Sequence, residues 1–191
     1  FQKGKWWNVW QLPKTLETTD FTLEDGLVYT GTALTPKVSS NVFSADDYTV
    51  VYHNNVNASE NAYAIVEATH KNGYGSVQIP FSIAQKEISD DMFTIDLDNK
   101  VFTDMEICPE VTSETLGFST DYTVGYSNNI NVGTANIFIE GIGNYCGRID
   151  KTFSINQKEI TWRIQLTYNN QTTWKCILTI HIHYNKYSIL R

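Results

Sequence analysis

Proline and cysteine are scarce in this chain of 191 residues, which has four prolines, three cysteines and eleven glycines. So little proline and glycine excludes collagen-like and linker-type sequence. Three cysteines are too few for a disulfide scaffold and lack the spacing of a metal site. Charged residues make up only 18% of the chain, below the usual quarter. Basic residues are the rarer sign, 14 against 21 acids for a net charge of −7. Such a chain repels phosphate, so nucleic acid is excluded as the expected partner. No run of about eighteen apolar residues occurs, and none of the segment is expected to span a membrane. No signal peptide and no initiating Met stand at Phe1. The expectation is therefore a fragment whose targeting and anchoring segments lie elsewhere.

What is present suffices for a packed domain: 41% hydrophobic residues and 13% aromatics can bury a core. The charge is unevenly spread. Residues 23–89 hold three Lys and seven acids, and residues 90–160 hold four Lys or Arg and twelve acids. Residues 161–191 hold Arg163, Lys175, Lys186 and Arg191 and no acid, a different compositional regime.

The strongest signal is an internal repeat. Ile83-Ala84-Gln85-Lys86-Glu87-Ile88 recurs as Ile155-Asn156-Gln157-Lys158-Glu159-Ile160, 72 residues on. Asp47-Tyr48-Thr49-Val50-Val51-Tyr52-His53-Asn54-Asn55 recurs as Asp121-Tyr122-Thr123-Val124-Gly125-Tyr126-Ser127-Asn128-Asn129 at an offset of 74. Val28-Tyr29-Thr30 matches Val101-Phe102-Thr103, and Pro36 with Val38 matches Pro109 with Val111, both at 73. The drift in offset places short insertions in loops, where they are tolerated.

Each copy reads as strands. Tyr48, Val50 and Tyr52 share one face at period two, as do Ala135, Ile137 and Ile139, and Ile149 to Ile155 alternate likewise. Asn54-Asn55, Asn72-Gly73, Asn128-Asn129 and Gly141-Ile142-Gly143-Asn144 supply turn signals between them. Neither copy keeps a helical period over ten residues. Short strands at roughly ten-residue spacing predict an all-β protein built as small sandwiches. The junction Gln85–Asp91 is only a few residues long, which predicts modules arranged end to end as a rod.

The run Asp121-Tyr122-Thr123-Val124-Gly125-Tyr126-Ser127-Asn128-Asn129-Ile130-Asn131-Val132-Gly133-Thr134-Ala135, then Gly141-Ile142-Gly143-Asn144-Tyr145-Cys146-Gly147 and Lys151-Thr152-Phe153-Ser154-Ile155, resembles a tandem repeat of bacterial surface proteins. Leu34-Thr35-Pro36-Lys37-Val38 supplies its upstream element. The likeness is to the Ig-like or MBG-type repeats of large secreted and wall-attached proteins, and it covers about residues 23–160. It implies two tandem Ig-like β-sandwich modules, an extracellular setting and a non-catalytic role. The expected boundaries are 23–88 and 89–160. Residues 1–22 are read as a flank ending a preceding module, and 161–191 as a tail formed by a degenerate or truncated third repeat. Expected partners are neighbouring modules, with glycans or proteins of the host or cell wall as further ones, and the chain is expected to be a monomer.

Candidate chemistry is thin. Asp47 and Asp121 are equivalent, and the expected role is to cap a turn while Tyr48 and Tyr122 pack. Asp90, Asp91, Asp96, Asp98 and Asp104 crowd the junction, as hard ligands for calcium would, but at no calcium-loop spacing. Cys108 and Cys146 are read as unpaired thiols, with a bond open to them only at short Cα separation, and Cys176 has no evident partner. His181 and His183 share a strand face that suits zinc but lacks a third ligand. No nucleophile elbow, zinc-protease helix, Walker loop or dinucleotide fingerprint occurs. No catalytic, cofactor or metal residue is therefore assigned. The leading expectation is a stalk or spacer that also contributes adhesion. The alternative is an accessory carbohydrate-binding module of a secreted enzyme, with Trp6, Trp7 and Trp10 as the stacking candidates.

Overall fold

The structure, a computed structural model, describes residues 13–168 and 171–180, with side chains over 13–159. It is all-β. Among the described residues the helical elements are three single 3-10 turns, Thr18–Asp20, Ala45–Asp47 and Asp90–Met92. Trp6, Trp7, Trp10, His181 and His183 lie outside the described residues, as does the Cys176 side chain. The chain divides into two compact units. The first takes residues up to Ile88 together with Ser119–Tyr122 and Gly141–Gly147, and the second takes the remainder.

In the first unit the strands are β1 (Lys14–Thr15), β2 (Phe21–Leu23), β3 (Val38–Ser40), β4 (Tyr48–His53), β5 (Ser59–Ala68), β6 (Gly73–Tyr74), β7 (Ser76–Ile83) and β8 (Lys86–Glu87). β4, β5 and β7 form an antiparallel sheet in that order, β2 pairs with β3, and β1 runs parallel to β6. In β4 the half-buried Tyr48, Val50 and Tyr52 alternate with the exposed Thr49 and Val51, as period two requires. Leu16, Phe21, Phe43, Val66 and Ala68 make the buried cluster, with Val38, Tyr48, Val50, Val77 and Ile79 packed against it. Phe21 stacks on Phe43 at 5.8 Å and meets Tyr48 edge-on at 5.2 Å. Fully burying each such side chain contributes about 1.5–3 kcal/mol. Gly73 is fixed by this cluster: a Cβ there would lie 2.8 Å from Leu16 Cδ1 and 2.9 Å from Phe43 Cε1.

The second unit holds β9 (Thr94–Ile95), β10 (Lys100–Val101), β11 (Val111–Thr112), β15 (Arg148–Asn156) and all but one end residue each of β12 (Tyr122–Ser127) and β13 (Gly133–Gly141). The intervening β14 (Tyr145–Cys146) belongs to the first unit, where it runs parallel to β8. The sheet order is β10-β15-β13-β12, and β9 pairs with β11. Ala135, Ile137 and Ile139 of β13 are buried with Phe153 and Ile155 of β15, while the residues between them face outward. The tail is a hairpin, β16 (Ile160–Tyr168) against β17 (Gln171–Ile180), with Ile160 opposite Ile180.

One insertion between the copies falls inside a strand and not in a loop. Ser59 lies opposite Ile83, but Ala62 lies opposite Phe81, so β5 bulges between them. Its counterpart β13 pairs without interruption from Gly133 opposite Ile155 to Glu140 opposite Arg148. The extra residue shifts the offset from 74 at Ser59 and Gly133 to 73 at Ala62 and Ala135. A bulge absorbs one residue by local twisting without flipping the buried face.

Candidate functional site

Several polar residues that recur in both copies are occupied in holding the chain together. Tyr52 donates its hydroxyl to the Pro36 carbonyl at 2.6 Å, and Tyr126 donates to the Pro109 carbonyl at the same distance. Asn55 Nδ2 donates to the Leu34 carbonyl, while Leu34 N–H donates back to the Asn55 carbonyl. Asn129 and Ile107 repeat that exchange. Ser40 Oγ accepts from the amides of Val42 and Phe43, and Ser113 Oγ from those of Thr115 and Leu116. Asn54 and Asn128 both adopt positive φ, 54° and 57°, a conformation asparagine tolerates at turns. Tyr29 N–H donates to the Ala84 carbonyl, and Phe102 N–H donates to that of Asn156, each at 2.9 Å. Burial pushes the phenols of Tyr52, Tyr122, Tyr126 and Tyr145 above the usual tyrosine value, since desolvation penalises the phenolate.

Asp47 is buried and closes the turn Ala45–Asp47. Its carboxylate accepts the Ser44 N–H at 2.9 Å and Asn72 Nδ2 at 2.7 Å. The Ser44 amide foremost, then the Ser44 hydroxyl, Asn72 and the charge of Lys71, holds it below the ordinary aspartate value against the opposing effect of burial. Tyr48 packs on the core, and Tyr122 is only 2% exposed. Asp121 sits at the equivalent corner, where its carbonyl accepts the Ile142 N–H just as the Asp47 carbonyl accepts that of Thr69.

The junction acids are dispersed. Asp90 pairs with Lys151, Asp91 with the Ser89 hydroxyl, and Asp96 with Lys100 at 2.9 Å. Lys100 holds the Asp96 carboxyl below its ordinary value. Among the described residues no three His, Cys, Asp or Glu side chains come together as a metal would require. Cys108 and Cys146 are free thiols. Cys108 Sγ lies 3.5 Å from Asn129 Nδ2.

Two shallow depressions mark the first unit. One, of about 470 Å³, is bordered by Asp25, Ser59, Glu60, Ser82, Gln85 and Gly143, among others. The other, of about 550 Å³, is bordered by Asn54, Asn55, Asn57, Ser59 and Asn61 with two small apolar residues. Both abut the β5 bulge. Each is open to solvent, and Asp25 and Glu60 are exposed.

No family model, curated protein or solved structure matches the chain.

Proposed function

We propose that this chain is a non-catalytic structural segment: two tandem Ig-like β-sandwich modules acting as a stalk or spacer, with a contribution to adhesion, in a bacterial surface or secreted protein. One observation carries the reading. Three pairs of polar side chains that the copies have in common, Tyr52 and Tyr126, Asn55 and Asn129, Ser40 and Ser113, each close a hydrogen bond within the fold. A repeat whose common residues specify folding leaves its surface free to vary. The sequence likeness to Ig-like or MBG-type repeats supplies the extracellular setting.

Stretching the full chain by its termini in a force spectrometer tests it. A tandem spacer yields two unfolding events, each releasing about 250 Å for a repeat of roughly 72 residues. A single event releasing both copies refutes the modular reading. Sustained turnover of a glycan or peptide, abolished by Asp25→Asn or Glu60→Gln, refutes the non-catalytic one.

A further inference from the structure

The first unit contains a loop from the second copy seated on residues of the first copy. Gln85 Nε2 donates to the carbonyls of Gly143 at 2.8 Å and Tyr145 at 3.2 Å. Asn144 is gripped from both sides: its Oδ1 accepts the Ala58 N–H at 2.9 Å, and its Nδ2 donates to Asn57 Oδ1 at 3.2 Å. Tyr145 meets Tyr29 edge-on at 5.5 Å. Lys86 N–H donates to the Asn144 carbonyl and Ile88 N–H to that of Cys146, which makes the parallel pairing of β8 with β14. Thus Tyr29, Asn57, Ala58, Gln85 and Lys86 form a seat for the loop Gly141-Ile142-Gly143-Asn144-Tyr145.

The second copy carries the same seat in its own frame. Tyr29, Asn57, Ala58, Gln85 and Lys86 correspond to Phe102, Asn131, Val132, Gln157 and Lys158. Three of the five are identical, and the other two keep an aromatic ring and a small apolar side chain. Their placement is equivalent as well. Phe102 makes the backbone bond of Tyr29, and Asn129 ties down the turn before Asn131 as Asn55 does before Asn57. Asn131, Val132, Gln157 and Lys158 are exposed, and Gln157-Lys158-Glu159 lie in no strand.

Building on the tandem-repeat reading, we propose that Phe102, Asn131, Val132, Gln157 and Lys158 form a docking surface for a further copy of the repeat. That copy enters through a Gly-x-Gly-Asn-Tyr loop. Its asparagine bridges Asn131 and the Val132 N–H, its tyrosine meets the Phe102 ring, its carbonyls accept from Gln157, and Lys158 begins a parallel pairing. Copy 1 is the poorer source of such a loop. At the corresponding place it carries Asn72-Gly73, where Asn72 Nδ2 is already given to Asp47 and no aromatic ring follows the asparagine.

The test lengthens the full chain by duplicating residues 89–160 in place after Ile160, so that the added loop is tethered near the seat. Amide hydrogen exchange is followed by NMR at Lys158. The expected result is a slowing of at least about tenfold on adding the third copy, reversed by Gln157→Ala and by changing only the added loop's Asn-Tyr to Ala-Ala. An added copy that folds, with its own strand amides protected, while Lys158 exchanges as before overturns the docking proposal and leaves the tandem-repeat reading intact. An added copy that does not fold sinks that reading, and the docking proposal with it.

Discussion

Gly125 and Phe138 offer a sharp test of how the two copies pack one design with different side chains. A Cβ on Gly125 would lie 1.9, 2.6 and 2.7 Å from three atoms of the Phe138 ring. The ring as a whole must therefore leave if position 125 gains a side chain. The first copy solves the same junction with Val51 directly opposite Ile65, the residues that correspond to Gly125 and Phe138. Gly125→Val displaces the ring and overpacks the site, at about 1–3 kcal/mol. It also breaks the Arg148–Phe138 contact, 4.6 Å from guanidinium carbon to ring centroid, worth about 0.5–1 kcal/mol. Loss of a strand glycine returns roughly 0.5–1 kcal/mol, which leaves a net cost of about 1–3 kcal/mol. Phe138→Ile alone uncovers Gly125 and costs about 1–2 kcal/mol. The double substitution recreates the Val–Ile pair and should return near the parent, so the coupling equals the summed single costs, at least about 2 kcal/mol. Hydrogen exchange and mass spectrometry on peptides covering β12 and β13 reads this locally: 2 kcal/mol is roughly a thirtyfold change in exchange. Single effects that add within about 0.5 kcal/mol would show that ring and glycine are not packed as described.

Four further outcomes follow from the geometry. Tyr52→Phe and Tyr126→Phe each leave a proline carbonyl without its donor, and each should lower stability in urea by about 1–2 kcal/mol; an effect below the measurement error would remove the phenol bond from the account. The raised tyrosines favour their protonated form in the fold, so their stabilisation is complete below the unfolded value near 10 and is lost as pH rises through the folded values. A spectrophotometric titration should show late-ionising phenols that become ordinary on denaturation. Asp47 has the opposite sign: its depressed value stabilises the fold above about pH 4 and that contribution fades as pH falls through the folded value. Asp47→Asn should flatten the acid limb of the unfolding curve, and an unchanged limb would refute the assignment. Gly73→Ala drives a methyl into Leu16 and Phe43 and should cost about 1–3 kcal/mol by thermal unfolding; a neutral result would mean that this corner has slack.

The strands around Tyr48–Tyr52, Ala135–Ile139 and Ile149–Ile155 were readable because each buries one face, so period two survives in the sequence. The start of the first copy was not. Lys14–Thr15 pairs with Gly73–Tyr74 just as Lys86–Glu87 pairs with Tyr145–Cys146, yet the paired segments share only one lysine. Parallel two-residue pairings use backbone groups and leave almost no side-chain trace. The bulge at Glu60-Asn61 was hidden for a related reason: a single inserted residue looks the same in a strand as in a loop until its partner strand is known. The roles of Asp47 and the tyrosines were half legible. The turn and the packing follow from residue type, but the carbonyl of Pro36 lies 16 residues from Tyr52, and distance along the chain conceals an acceptor. Among the junction acids, Asp90, Asp91 and Asp96 each have a different partner, which density along the chain does not reveal.

The loop Gly141–Gly147 belongs physically to the unit built on the preceding copy. The segment that duplicates in the sequence is therefore out of step with the segment that packs. Any gain or loss of whole repeats cuts across a packed body and rejoins it with a related but not identical neighbour. Each such joint must bring a loop and a seat of matching kind back together.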